Sequence, residues 1–417
     1  MDIETVDKFL KEFKDKARVF GIIFRIDRKK NIQALLDLEI SAIMREKIIM
    51  SLTVEDYYKG PTEDKLNYMG ELWKFGKSVD KKEVYIKISK GTGGDAALCH
   101  EKQSFEFRKD NFEIVYHFYR CKDTNEEFTT TELDQLNMNQ VYNLYRQKYA
   151  IPFPDEIKRV RELYGISALR MSKLLGFGDN QYRKYEEGET PSVSNGKMIS
   201  ALKDPHFFLE ILKLAQNQFP NDEILKIEKR VKELLLNNSC FENKINEFIF
   251  HNHLSLRSSM NGYASVIPEK VKQIIVFFAS ALQGVFETKL NKLLFYSDFL
   301  SYKKYGKGIS GLQYQAISYG PVPVRYSTIY ENLDGLKKEI INLGNGYSGS
   351  IITTVEQFEQ SLFTVEELEV LQCVLAHFEK SKANEISEMS HAEEAWRQNE
   401  KQHSLIDYSY AFDLRQL

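Results

Sequence analysis

The sequence predicts a multidomain α+β protein, and three observations lead there. At 417 residues the chain has room for about two to four domains. Apolar residues alternate with polar ones at 19–25, 71–75, 83–89, 105–107 and 112–120, whereas helical spacing dominates from Thr131 onward, so both element types are present and unevenly distributed. Hydrophobic content of 42%, with 27 Phe and 23 Tyr, suffices for ordinary cores, and 9 Pro and 22 Gly leave little scope for long disordered stretches.

Charge narrows the function classes. With 57 Lys+Arg against 60 Asp+Glu the net charge is −3, so the chain is neither a polybasic nucleic-acid coat nor an acidic tail. Residues 1–98 hold a slight basic excess and the remainder an acidic one. The opening MDIETVDKFLKEFKDK carries charges throughout and lacks an apolar signal region, and no window is apolar enough for a span, so a cytoplasmic, non-membrane protein is expected. The four cysteines, Cys99, Cys121, Cys240 and Cys373, form no CxxC pair. This fits a reducing compartment and predicts no disulfide framework, no metal and no cofactor.

The elements follow in order. Residues 3–16 read as a helix, 19–25 as an alternating apolar run, and 31–38 and 42–52 as two more helices. After a break at Lys59-Gly60-Pro61, strands are expected at 71–75 and 83–89. Together these make a small α+β domain over 1–98, closed by the flexible turn Gly91-Thr92-Gly93-Gly94. Residues 99–130 read as a β-hairpin layer turning at Arg108-Lys109-Asp110-Asn111. An all-α segment over 131–203, a helical connector over 204–262 and a mostly α domain over 263–417 complete the chain. In the last, helices are expected at 270–282, 289–305, 324–333, 365–378, 383–390 and 391–399, with an irregular stretch at 318–323.

Residues 155–188 carry the clearest motif. A helix over 155–164, a second over 168–175 opened by the N-cap Ser167, the turn Gly176-Phe177-Gly178 and a third helix make a helix-turn-helix layout. Met171, Leu174, Leu175, Phe177, Tyr182 and Tyr185 fall on inner faces and leave Asn180, Gln181, Arg183 and Lys184 outward on the third helix. Asn and Gln can pair an adenine edge, and Arg and Lys reach guanine or phosphate. On spacing alone an ordinary helical bundle with a polar third helix fits equally well. Residues 171–188, MSKLLGFGDNQYRKYEEG, resemble the Xre/Cro-type helix-turn-helix of MqsA-like antitoxins, which closes on Y-E-x-G. The resemblance implies base reading by Asn180 and by Lys184, which stands where arginine is usual. Since one recognition helix touches about half a site and the local charge is near balance, a homodimer on the operator is expected. Ser192, Ser194, Asn195 and Lys197 open the next helix, where hydroxyls and backbone N–H groups suit phosphate. Residues 112–128 are similar to half of that family's zinc layer, but only Cys121 occupies a cysteine position, so no metal is expected.

Two flanking segments carry further resemblances. Residues 289–326, through Leu293-Leu294-Phe295-Tyr296-Ser297-Asp298-Phe299, Ile309-Ser310-Gly311-Leu312 and Tyr319-Gly320-Pro321-Val322-Pro323, are similar to the Panacea (SocA-like) domain, which implies a module that binds and neutralises a cognate toxin. Asp298 reads as a hydrogen-bonded structural acid. Residues 1–98, through Lys16-Ala17-Arg18-Val19-Phe20-Gly21-Ile22, Arg28-Lys29-Lys30-Asn31, Asp56-Tyr57-Tyr58-Lys59-Gly60-Pro61 and Glu83-Val84-Tyr85-Ile86-Lys87-Ile88, resemble the MqsR messenger-RNA interferases, of the RelE/MqsR-like fold. That resemblance implies RNA as a partner and Lys59, Lys74 and Tyr85 as catalytic residues, which taken singly read as a solvated lysine or half-buried aromatic. The charged run His100-Glu101-Lys102-Gln103 stands where the toxin's last apolar strand belongs. The expectation is a lost strand, with the hairpin of residues 105–120 pairing the open sheet edge and masking the RNA face.

The leading reading is therefore a toxin–antitoxin fusion, self-neutralised in cis or acting on a toxin in trans, that binds and represses its own operator. One alternative is a ribonuclease released by proteolysis. The other is an interaction module that captures an unlinked toxin or phage protein.

Overall fold

The computed structural model describes residues 2–25, 30–63, 71–79, 82–88, 95–237, 241–254, 256–344 and 347–417. The expected glycine turn at 91–94, Cys240 and the basic pair Arg28-Lys29 lie outside them. The chain is multidomain and mixed α and β, and it divides into two compact units, Met1–Tyr145 and Arg146–Leu417. Among the described residues no helix is long and apolar enough to cross a membrane, and no group of three His, Cys, Asp or Glu could hold a metal ion.

In the first unit, helix α1 (Ile3–Phe20) opens on Asp2, whose carboxylate accepts from Thr5 N, and ends at Gly21, which adopts a positive φ of +74°. It runs four residues beyond the expected end, because nothing before Gly21 stops it. Val19 and Phe20 are therefore helical and exposed, and only Phe24–Arg25 (β1) of the expected alternating run is strand. Helices α2 (Lys30–Leu38) and α3 (Ala42–Met50) follow as expected, α3 capped by Ser41. Strands β2 (Tyr57–Glu63), β3 (Glu71–Val79) and β4 (Lys82–Ile88) form an antiparallel sheet in that order. Lys59-Gly60-Pro61 is not a break between elements but part of β2, where the register against β3 shifts on either side of Lys59. Phe9 of α1 stacks on Trp73 at 4.1 Å between ring centroids. With Val6, Leu10, Leu52, Phe75 and Ile88 they close one core.

Strands β5 (Ala96–Phe107) and β6 (Asp110–Cys121) form the expected hairpin with an unbroken register. Its turn is the two residues Arg108 and Lys109, both at positive φ (50° and 73°), as a type I′ connection requires. Two expectations fail here. The charged run at 100–103 does not interrupt a strand, since it lies inside β5, with Glu101 and Lys102 exposed. Nor does the hairpin add to the β2–β3–β4 sheet: it joins β7 (Glu127–Thr129) and β1 in a separate sheet of order β1-β7-β6-β5. The reason lies in α4 (Thr131–Tyr149). The Asn137 amide accepts from His117 N at 2.8 Å and donates to His117 O at 2.9 Å, and Gln140 treats Val115 likewise at 3.1 and 2.8 Å. These amides satisfy the stretch of β6 that β7 is too short to cover.

In the second unit, α5 (Pro154–Tyr164), α6 (Ala168–Leu174), α7 (Gln181–Glu186), α8 (Val193–Ala201), α9 (Pro205–Leu214) and α10 (Asn221–Asn237) surround one core. Met171, Tyr182, Ile199, Phe208 and Val231 are fully buried in it, and Tyr164 stacks on Phe208 at 3.6 Å. The unit boundary falls inside α4, within the 131–203 segment. After α11 (Phe241–Phe250), helices α12 (Pro268–Ala281) and α13 (Glu287–Tyr305) form the middle of the C-terminal part. α13 is buried on every side from Lys289 to Tyr302, as a central helix must be. Around it lie β8 (Val285–Phe286), β9 (Tyr314–Ile317), β10 (Gly320–Pro323), α14 (Tyr326–Asn332), β11 (Leu336–Gly344), β12 (Tyr347–Thr354), α15 (Val365–Phe378), α16 (Ala383–His391), α17 (Glu394–Arg397) and β13 (Leu405–Ile406). The strands make two three-stranded sheets, β10-β9-β13 and β11-β12-β8. The expected irregular stretch is thus the β9–β10 hairpin, and β11–β12 is an unexpected one.

Candidate functional site

Residues 154–201 form three helices and a capping fourth. Ser167 caps α6 by accepting from Arg170 N at 3.2 Å, and Phe177 N donates to Ser172 O at 2.8 Å to close the turn. Tyr182 and Tyr185 point inward, the Tyr182 hydroxyl donating to Ile157 O at 2.8 Å. Arg161 braces the end of α7 through a two-pronged contact with Glu186, and Arg146 donates to Gly188 O at 2.8 Å.

This packing leaves Asn180, Arg183 and Lys184 exposed on the opposite side of α7. Gln181 is half-buried and donates to Glu189. Arg183 lies 3.8 Å from Glu187, and Lys184 lies 4.0 Å from Glu189. The outward face is therefore hydrogen-bonding rather than strongly positive. Ser192 caps α8, accepting from Asn195 N at 3.2 Å with Ser194 Oγ at 3.1 Å. The Asn195 amide donates to the Tyr185 hydroxyl at 2.9 Å and ties α8 to α7, while Lys197 is exposed.

A second cluster lies on the β2–β3–β4 sheet. Trp73 and Phe75 face the core, so Lys74 between them faces outward. The register sets Lys59 opposite Lys74, and Lys74 opposite Lys87. Three lysines thus stand abreast on adjacent strands about 4.8 Å apart. Tyr85 pairs with Gly76, two places along, its side chain outside the described residues. A Cβ built on Gly76 would meet nothing within 4 Å, so the face is open there. Two of the sequence-expected residues are brought together, and Lys87 is an addition. Like charges directly opposite destabilise a sheet, and a polyanion would relieve them.

In the C-terminal part Asp298 is wholly buried and saturated. It accepts from Ile309 N at 2.7 Å, Ser310 N at 2.8 Å, the Ser310 hydroxyl, and the Tyr314 hydroxyl at 2.7 Å. Burial pushes its carboxyl upward against those four donors. This is the hydrogen-bonded structural acid that the sequence suggested. Lys292, also buried, donates to Pro321 O at 3.0 Å, and burial pulls its ammonium down to about 7. Lys292 had a signal in the sequence, a lysine set among Leu290, Leu293 and Leu294. Helix α5 meets this part through Asp155, which binds Arg257 and Lys307. Against the upward push of burial, those cations hold its carboxyl well below the usual range.

Residues 290–397, from α13 to α17, match the family described as antitoxin SocA-like, Panacea domain. No curated protein and no solved structure matches the chain.

Proposed function

We propose that the chain is a toxin–antitoxin protein whose C-terminal module engages a toxin and whose residues 154–201 bind operator DNA to repress its own synthesis. The single observation that carries the toxin–antitoxin part is the match over 290–397. The DNA part is supported by the outward side chains Asn180, Arg183 and Lys184 on a helix braced at its end by Glu186 and Arg161. Asn180 supplies bidentate recognition of a base, Lys184 and Arg183 reach guanine or the backbone, and Lys197 lies toward phosphate. One such helix covers half a site, so the acting species is a homodimer on a pseudo-palindrome.

The test is a gel shift with the chain's own promoter at fixed salt. Asn180→Ala is expected to weaken specific binding by about 1–3 kcal/mol. Unchanged binding would sink the DNA reading. A second reading, a messenger-RNA interferase in residues 1–98, is favoured by the lysine row Lys59, Lys74 and Lys87. Under it the purified full-length chain cleaves RNA, and Lys74→Ala abolishes the cleavage.

A further inference from the structure

Residues 408–417 are held to the second unit in two different ways. As far as Leu414 they are held by packing. Tyr408, Ala411, Phe412 and Leu414 are buried, and the Tyr408 and Phe412 rings meet Tyr302 of α13 at 5.7 and 5.4 Å between centroids. Beyond Leu414 the side chains turn outward: Arg415 is exposed and donates to Glu394 at 3.0 Å, and Gln416 and Leu417 are half-buried. What holds this last stretch is its main chain, and what holds the main chain is charge.

Glu393, 1% exposed at the start of α17, accepts from Arg415 N at 2.9 Å, from Gln416 N at 3.3 Å and from the Tyr296 hydroxyl at 3.2 Å. Lys303 of α13 donates to Leu414 O at 2.9 Å and to Leu417 O at 2.7 Å. A carboxylate and an ammonium thus bracket four consecutive residues, the first on the two inner N–H groups and the second on the two outer carbonyls. Buried charges are ordinarily satisfied by one another, since leaving one without partners is costly. Here the two sense each other's charge, yet each is spent on peptide groups. Burial pushes the Glu393 carboxyl up, and the Arg415 and Gln416 amides pull it back down. Emptying the site would leave Glu393 with one of these three donors, so the vacant site favours any chain that offers two N–H groups in the same place.

The contacts are to peptide N–H and C=O groups, which every residue except proline supplies in full. Tyr296, Lys303 and Glu393 all fall within residues 290–397, which match the Panacea family, whereas the segment they hold lies outside that stretch. A four-residue segment with outward side chains also sits at the low end of local stability.

We propose that Tyr296, Lys303 and Glu393 form a binding site for an extended peptide of another protein, read through its main chain and anchored by one apolar side chain, and that residues 414–417 fill it in cis as a displaceable strap. Main-chain reading gives affinity with little demand on sequence, as strand addition does.

Fluorescence anisotropy tests this with a labelled Asp-Leu-Arg-Gln-Leu peptide, the sequence of residues 413–417, and a chain ending at Asp413. Saturable binding is expected, with the full chain binding at least about tenfold more weakly because its own segment competes at high effective concentration. Replacing the peptide's Arg and Gln by Ala should leave affinity within about threefold, whereas methylating the two backbone nitrogens that Glu393 accepts from should weaken it by more than about tenfold. Glu393→Gln in the shortened chain should weaken binding to a similar degree. No saturable binding to a shortened chain that melts cooperatively, or equal binding of the methylated peptide, would overturn the proposal. A shortened chain that does not fold leaves the full chain to decide: excess peptide is expected to speed deuterium uptake at residues 414–417, and uptake unchanged by the peptide would overturn the proposal equally.

Discussion

Lys292 lies wholly inside the second unit, and among the described residues its ammonium reaches one acceptor, the Pro321 carbonyl. Gly320 next to it has φ +98°, and a Cβ there would come within 2.7 Å of the lysine Cε and 2.5 Å of the Ser390 hydroxyl, so the strand β10 backbone presses directly on the lysine. Burying a cation for one backbone partner is costly. The same burial lowers its pKa to about 7, which makes the cost visible in pH. Between about 7 and the ordinary lysine value near 10.5 the unfolded chain holds this proton and the folded chain does not, so stability must rise with pH across that window. In urea titrations the wild type should gain up to about 1.4 kcal/mol per pH unit there relative to Lys292→Met. Equal slopes for the two proteins would mean that the lysine is charged at neutral pH in the fold. His253 works in the opposite range. Its Nδ1 accepts from Gln313 N at 2.9 Å and its Nε2 lies 2.9 Å from Val324 O, so the ring is neutral with the proton on Nε2. Burial lowers its pKa to about 4. The unfolded chain takes up this proton between about 6.5 and 4 and the folded chain does not, so stability falls with acid across that window. His253→Phe is expected to flatten the fall, as circular dichroism at graded pH would record.

At the scale of elements, the β5–β6 turn offers a direct test of backbone chemistry. Lys109 adopts φ +73°, where a side chain costs about 1 kcal/mol and glycine costs nothing. Lys109→Gly should therefore raise the midpoint of unfolding of the first unit, and Lys109→Val should lower it by a similar amount. The elements legible in the sequence were those whose ends carry chemistry. Ser167 and Ser192 announced α6 and α8, and the alternation of Phe105, Phe107, Phe112 and Ile114 announced the hairpin, because caps and period-two burial are local. What was not legible depends on distant partners. Leu336–Gly344, reading LKKEIINLG, has no alternation of its own and is held as strand by β12, which in turn pairs β8. The hairpin's placement turned on Asn137 and Gln140, whose amides bond β6 from twenty or more residues away, and no pattern within residues 99–121 specifies that. Of the candidate sites, the outward set on α7 was legible from the burial of Tyr182 and Tyr185. The lysine row was only partly so, since opposing Lys59 to Lys74 depends on two register shifts in β2.

For the whole molecule, the proposed operator binding depends on the balance of charge. With a net charge of −3, and with Arg183 and Lys184 each near a glutamate, a single copy has little electrostatic affinity for a duplex. Under the proposed operator reading, specific binding comes from adding two recognition helices rather than from a basic field. If each copy neutralises about three phosphates, through Arg183, Lys184 and Lys197, log Kobs for the dimer should fall with log salt at a slope of about −5. A half-site takes one copy and so half of those charges. On a single half-site the slope should therefore be about −3, with affinity lost most at physiological salt. Fluorescence anisotropy across a salt series measures both quantities in one experiment. Equal slopes on the full operator and on the half-site would mean that a single copy holds the operator, and that pairing of recognition helices is not the source of its affinity.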